Sequence, residues 1–321
     1  MSSTGTKTAW PGLLGAFLAL AIASVGSDRA SAQTYGFATL PPGTLNHTTA
    51  SAISKVLKEK GGTNMLVQPT AGDNVINPLV GRGEVEVGIT NIMEVTDALE
   101  GGLKDMRIIS AAHALRTPMF VRKDSGMFKN ADLKGKRVTM GYSAMRNIDK
   151  TVRAMLASAG LTDADVKPVL VPNVVRSADE FMAGNADMFS FAFGGPKVRE
   201  ADATVGGVRA LELGDGWDAA KKIMPWAYLT QIGPGPIFTG VEKPMKVYSF
   251  DNVMIASSKV PDAFIQKILE IMEKNKDELV AVQPVLREWT PAFGYKQYGV
   301  QYHPGAEKFF KERNLTKQPL G

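Results

Sequence analysis

Short apolar strands alternate with amphipathic helices from Thr34 onward, and this alternation restricts the possible folds more than any other feature of the chain. Residues 35–40 read as a strand, followed by a Pro41-Pro42-Gly43 loop. A helix over 44–60 then lines up Leu45, Thr49, Ala52, Ile53, Val56 and Leu57 on one face, the 3.6-residue period, and Gly61-Gly62 ends it. Residues 65–68 form the next strand, 74–80 a short helix and 85–90 a third strand. A second series begins after Arg116-Thr117-Pro118: strand 137–141, helix 147–159, strand 169–171, helix 178–183 and strand 188–193, with 208–213 as a further strand. The Gly/Pro-rich segment 232–244 reads as a surface loop, 247–257 as a strand, and Pro261 opens a helix that reaches Lys274. Such a pattern predicts an α/β fold of mixed, mainly parallel sheets covered by helices.

Two series of similar grammar predict two lobes with a cleft between them. Extended segments near 119–122 and 253–257 are candidate connections between them; that there are two, which make a hinge, leans on the family resemblance given below. The resulting boundaries are 33–119 plus 253–321 for the first lobe and 120–252 for the second.

The first 32 residues read as a leader. Lys7 precedes Leu13–Val25, an unbroken apolar run of 13 residues, and Ala30-Ser31-Ala32 supplies small residues before a cut at Gln33. That run is too short for a stable span, which takes about 20 residues. The expectation is export to the periplasm with cleavage near Ala32. Cysteine is absent, which removes a disulfide framework, a thiolate nucleophile and a lipid-modified cysteine anchor. A net charge of +5 spread along the chain shows no nucleic-acid footprint.

An exported enzyme is the rival class. The sequence has no Gly-x-Ser-x-Gly elbow and no His-Glu-x-x-His, and its three histidines, His47, His113 and His303, are too scattered for a metal site. The chain therefore reads as a non-enzyme with no metal and no cofactor.

In open α/β sheets, ligands bind beyond the carboxyl ends of strands, where helix N-termini present free N–H groups. Three loops qualify. Residues 39–46 offer Thr39, Thr44 and Asn46. Residues 70–74 offer Gly72, Asp73 and Asn74, although an aspartate in the place of Asp73 is more often a helix cap than a ligand contact. Residues 141–146 offer Tyr142, Ser143 and Arg146. The Arg146 guanidinium is the candidate clamp for a carboxylate. Asn91 at a strand exit and Phe193 beside Gly194-Gly195 complete the candidate set; Phe193 and Tyr142 would be cleft walls.

Four segments resemble the solute-binding proteins of tripartite ATP-independent periplasmic (TRAP) transporters, in the branch called TAXI. They are Gln68–Asn74 with Leu79–Gly88, Asp132–Val138 through Ser143, Phe191–Pro196, and Tyr302–Phe310 with its His-Pro-Gly-Ala element. One departure is the loop Ala38–His47, where the family carries a glycine-rich Tyr-Tyr-Pro sequence. The resemblance implies a type II-like, two-lobed periplasmic binding protein. It would be a monomer that captures a small organic anion, a carboxylate such as a glutamate-like compound, and delivers it to an ion-gradient-driven permease. An ABC-type or tricarboxylate-type receptor would share the architecture.

Overall fold

Two mixed sheets account for the strands of this protein, and the chain passes between them twice. The computed structural model describes residues 1, 2, 4–6 and 34–320. The expected leader run and cleavage site lie outside the described residues. Among the described residues no helix is long and apolar enough to cross a membrane.

The first sheet begins with β1 (Thr34–Thr39), α1 (Leu45–Gly61), β2 (Asn64–Pro69), α2 (Asp73–Gly81), β3 (Val87–Asn91), α3 (Ile92–Glu100) and β4 (Met106–Arg116). Strands β2, β1 and β3 are parallel neighbours. The second sheet then follows as β5 (Met119–Arg122), β6 (Arg137–Met140), α4 (Arg146–Ser158), β7 (Lys167–Leu170), α5 (Val174–Met182), β8 (Met188–Ser190), α6 (Pro196–Val205) and β9 (Val208–Ala210), in the order β7-β6-β8-β5-β9. After α7 (Trp217–Ile223) the chain rejoins the first sheet with β10 (Tyr228–Ile232) and β11 (Met245–Ser257). Helices α8 (Asp262–Lys274), α9 (Lys276–Val282), α10 (Pro291–Gly294) and α11 (Pro304–Lys311) close the chain.

Local chemistry explains the boundaries. Thr44 accepts the His47 N–H as the cap of α1, and Gly62 ends that helix at φ 61°, the left-handed conformation that glycine adopts without steric cost. His303 caps α11 by accepting the Gly305 N–H through Nδ1, with Pro304 in the first turn. β11 is the spine of the first sheet. It pairs antiparallel with β10, β3 and β4, and all of its residues but Lys246 are buried.

The crossings differ from the sequence expectation. The chain changes sheets at 116–119 and returns between β9 and β10, whereas residues 253–257 lie within the first sheet, hydrogen-bonded between β3 and β4. β4 itself, with β10, α6 and α7, was not anticipated.

Candidate functional site

The loops at the carboxyl ends of β1, β3, β6 and β8 face one another across the seam between the sheets, and a small enclosed cavity of about 30 Å³ lies there. From the first-sheet side come Leu40, Leu45 and Leu115; from the other come Met145, Ile148, Val174, Phe191 and Ala192. The polar lining is Thr44, Asn46, Asp73, Asn91, Thr117 and Ser190. Helices α1, α2, α3, α4 and α5 all begin at or beside these residues, so their first-turn N–H groups and positive dipole ends converge here.

The seam is shut by hydrogen bonds between the two sides. Asn74 Nδ2 donates to the Ser143 carbonyl at 2.9 Å, and Asn173 Nδ2 donates to that of Ala71 at 3.4 Å. The Asn147 N–H donates to Glu94 Oε1 at 3.2 Å, its side chain donates to Asp97 at 3.1 Å, and Lys150 pairs with Asp97 at 2.9 Å. The Lys197 N–H reaches the Gly43 carbonyl at 3.1 Å. A cavity this size admits nothing much larger than water while these bonds hold.

Asp73 is 1 % exposed. Its Oδ1 accepts the Thr90 hydroxyl at 2.6 Å, while Oδ2 has no hydrogen-bond partner among the described residues. The cap position of α2 belongs to Gly72, so Asp73 sits in the first turn instead of capping. Burial raises its pKa to about 6 against the opposing effect of Thr90. Burial, then the neighbouring Asp73 charge, raises Glu94 to about 8. A carboxyl that holds its proton more tightly in the folded chain makes stability fall as pH rises through that range. The denaturation midpoint should therefore drop between about pH 7.5 and 8.5, above the range in which the three histidines titrate, and Glu94→Gln should flatten the slope. Urea titrations across that range check this; an unchanged slope in the variant would assign the effect elsewhere.

Beneath the cavity a polar chain runs into the first sheet. Asn46 Nδ2 donates to the Ile89 carbonyl at 3.5 Å, and the Asn252 side chain donates to Asn46 Oδ1 at 2.9 Å. His113 Nε2 lies 3.2 Å from Thr49 Oγ1 and 3.4 Å from Asn252 Nδ2, and its Nδ1 lies 3.3 Å from the Ala114 carbonyl. Burial lowers the His113 pKa to about 4, which keeps the ring neutral at ordinary pH. This network fixes Asn46 in the cavity wall.

Of the residues expected from sequence, Thr44, Asn46, Asp73 and Asn91 line the cavity. Thr39 is buried and outside the lining; Gly72, Asn74 and Ser143 form the seam. Three expectations are corrected. Tyr142 is fully buried within the second-sheet side, its hydroxyl 2.9 Å from Thr139 Oγ1 and 3.0 Å from Ser177 Oγ, so it is core and not a cleft wall. Phe193 packs edge-on against Phe120 and Phe238, with ring centroids at 5.3 and 5.4 Å, and the aromatic wall is Phe191. Arg146 is exposed at the start of α4 and lines an outer groove with Asn74, Arg82 and Asp97, not the enclosed cavity. No lysine or arginine is among the residues that line the cavity. Sequence reasoning missed Leu115, Thr117, Met145, Ile148, Val174 and Ser190. Only the approach of the two sheets brings them together, although the Arg116-Thr117-Pro118 break did mark the crossing.

Residues 37–313 match the family described as the NMT1-like family. Among solved structures the chain is similar to PhnD1 from Prochlorococcus marinus (MIT 9301) in complex with methylphosphonate: 10% identity, 88% of this chain and 99% of that one, TM-score 0.56. It is also similar to the zinc-bound ligand binding component of an ABC-type import system from Staphylococcus aureus, at 11% identity over 90% and 94% of the two chains, TM-score 0.50. The alkanesulfonate-binding protein SsuA from Xanthomonas axonopodis pv. citri bound to MOPS aligns at 13% identity over 87% and 82%, TM-score 0.48. At these identities the likeness is one of fold: the two-lobed α/β architecture of solute-binding proteins.

Proposed function

This chain belongs to the NMT1-like family, and from that premise we propose that it is the substrate-binding component of a membrane importer. It would work outside the cytoplasm, closing on a small solute and releasing it unchanged to a permease. The observation that carries this reading is the cavity enclosed between two sheets, walled by both and sealed by hydrogen bonds that exist only when the sides meet. Each sheet would be the centre of one lobe, and the crossings at 116–119 and between β9 and β10 would be the hinge. A solute that touches both walls favours the closed form by its differential affinity.

Where the solute carries a carboxylate, a mechanism other than an arginine clamp would hold it. With no cation in the lining, an acidic group would rest on the N–H groups that begin α1, α3 and α5. Two permease classes remain. The likeness to the ligand binding component of an ABC-type import system favours an ATP-driven partner. The four TAXI-like segments, above all His303-Pro304-Gly305-Ala306, favour a TRAP permease. Uptake in vesicles carrying the permease separates them: dependence on ATP assigns the first, dependence on an ion gradient the second.

The test of the binding role is a thermal-shift panel of small organic solutes, guided by mass spectrometry of what copurifies. A solute at a hundred times its Kd should stabilise the chain by about 2.7 kcal/mol and be recovered unchanged. Chemical conversion of the solute by the purified chain would sink the reading.

A further inference from the structure

We propose that Asp73 selects the solute, and that its partner is a protonated amine on a small, largely apolar molecule. This rests on the cavity being the solute site. Asp73 is the one ionisable residue in the cavity lining. Its Oδ1 is occupied by the Thr90 hydroxyl, so recognition falls to Oδ2, which has no hydrogen-bond partner among the described residues. An ionised carboxylate only accepts hydrogen bonds, and leaving a buried acceptor unmet is costly. A solute ammonium supplies the missing donor and neutralises the buried charge in one charge-assisted bond. A solute bearing only acid groups would instead be repelled by Asp73.

A second atom supports the assignment. Thr117 Oγ1, at the crossing between the sheets, is also buried, and its residue is in the lining; among the described residues it has no hydrogen-bond partner. Being both donor and acceptor, it can bond the same amine or a neighbouring polar group. The remaining surface, with Leu115, Met145, Ile148 and Phe191, suits a hydrocarbon skeleton. Solute class therefore follows from one free acceptor, one free hydroxyl and an apolar wall.

Calorimetric titration of wild-type chain and Asp73→Asn tests this with matched compounds. The set is alanine, valine and leucine, each with the amine that lacks its carboxylate and the acid that lacks its amine. The expected result is binding confined to amine-bearing members, with at least a tenfold loss in Asp73→Asn. The variant should melt no lower than wild type, because it removes a buried charge. If the variant does not fold, the wild-type comparison of amine with acid decides alone. Acid-only members that bind as tightly as their amine counterparts would overturn the role of Asp73 and leave the binding function standing. Equal affinity in Asp73→Asn would do the same. No binding by any member would overturn the amine class, and the copurification and thermal-shift panel then judges the binding function separately.

Discussion

Gly72→Ala is expected to hold the two sides of the seam apart and to lower solute affinity about ten- to hundredfold. Gly72 precedes α2 with φ 171°, extended backbone that any residue adopts, so the substitution brings no local strain. Its constraint is across the seam. A Cβ at this position would lie 2.1 Å from the Ala144 carbonyl oxygen and 2.7 Å from its carbon. Both are backbone atoms, and Ala144 is itself held by its N–H bond to Pro172. Overpacking of this kind costs about 1–3 kcal/mol, and each 1.4 kcal/mol is tenfold in affinity. The cost arises only in the closed form, since parting the sides removes the clash. Circular dichroism should therefore be unchanged while small-angle scattering gives a larger radius of gyration. A variant as closed as wild type by scattering, with affinity within threefold, would show that the seam yields and that closure does not depend on this approach.

Much of the fold was legible because its signals are local. α1 shows its cap in Thr44, its buried face in the 3.6-residue spacing and its end in Gly62, and the structure places it at Leu45–Gly61. α11 was marked by His303-Pro304. β4 was not legible. Its sequence, MRIISAAHALR, is buried on both faces except near its ends, so it has no alternation, and its alanines, serine and histidine carry little strand preference. Its partner β11 supplies what the local sequence lacks. The site divides in the same way. Thr44, Asp73 and Asn91 line the cavity and were legible as candidates because helix starts are written in sequence. The wall made by Leu115, Met145 and Phe191 was not, because its members approach only when the sheets do. Strand spacing would put Phe191 and Phe193 on one face, but the strand stops at Ser190, so alternation does not order the two rings and only Phe191 lines the cavity.

Lys296→Met is expected to cost about 3–5 kcal/mol of stability, the range for breaking a buried ion pair by removing one partner. Asp251, in the middle of β11, is 1 % exposed at its side chain and Lys296 is 7 %. The Lys296 ammonium donates to both carboxylate oxygens, at 2.9 and 2.8 Å. Tyr228 donates to Oδ1 at 2.7 Å and Tyr298 to Oδ2 at 2.6 Å. The same ammonium lies 4.0 Å from the Phe293 ring centroid, so its desolvation is offset by carboxylate and aromatic face together. Methionine fills similar volume but leaves Asp251 charged, buried and held only by the two hydroxyls. A second change, Asp251→Asn in the Lys296→Met background, removes that charge and should recover most of the loss; denaturant titrations of the two singles and the double give the coupling. Asn252, the next residue, donates to Asn46 in the cavity wall, so the ion pair bolts the C-terminal segment to the strand beneath the site. Its loss should lower stability without a comparable change in closure, because none of the hydrogen bonds across the seam passes through it. A destabilisation below 1 kcal/mol would mean that the two tyrosines alone suffice to hold the carboxylate.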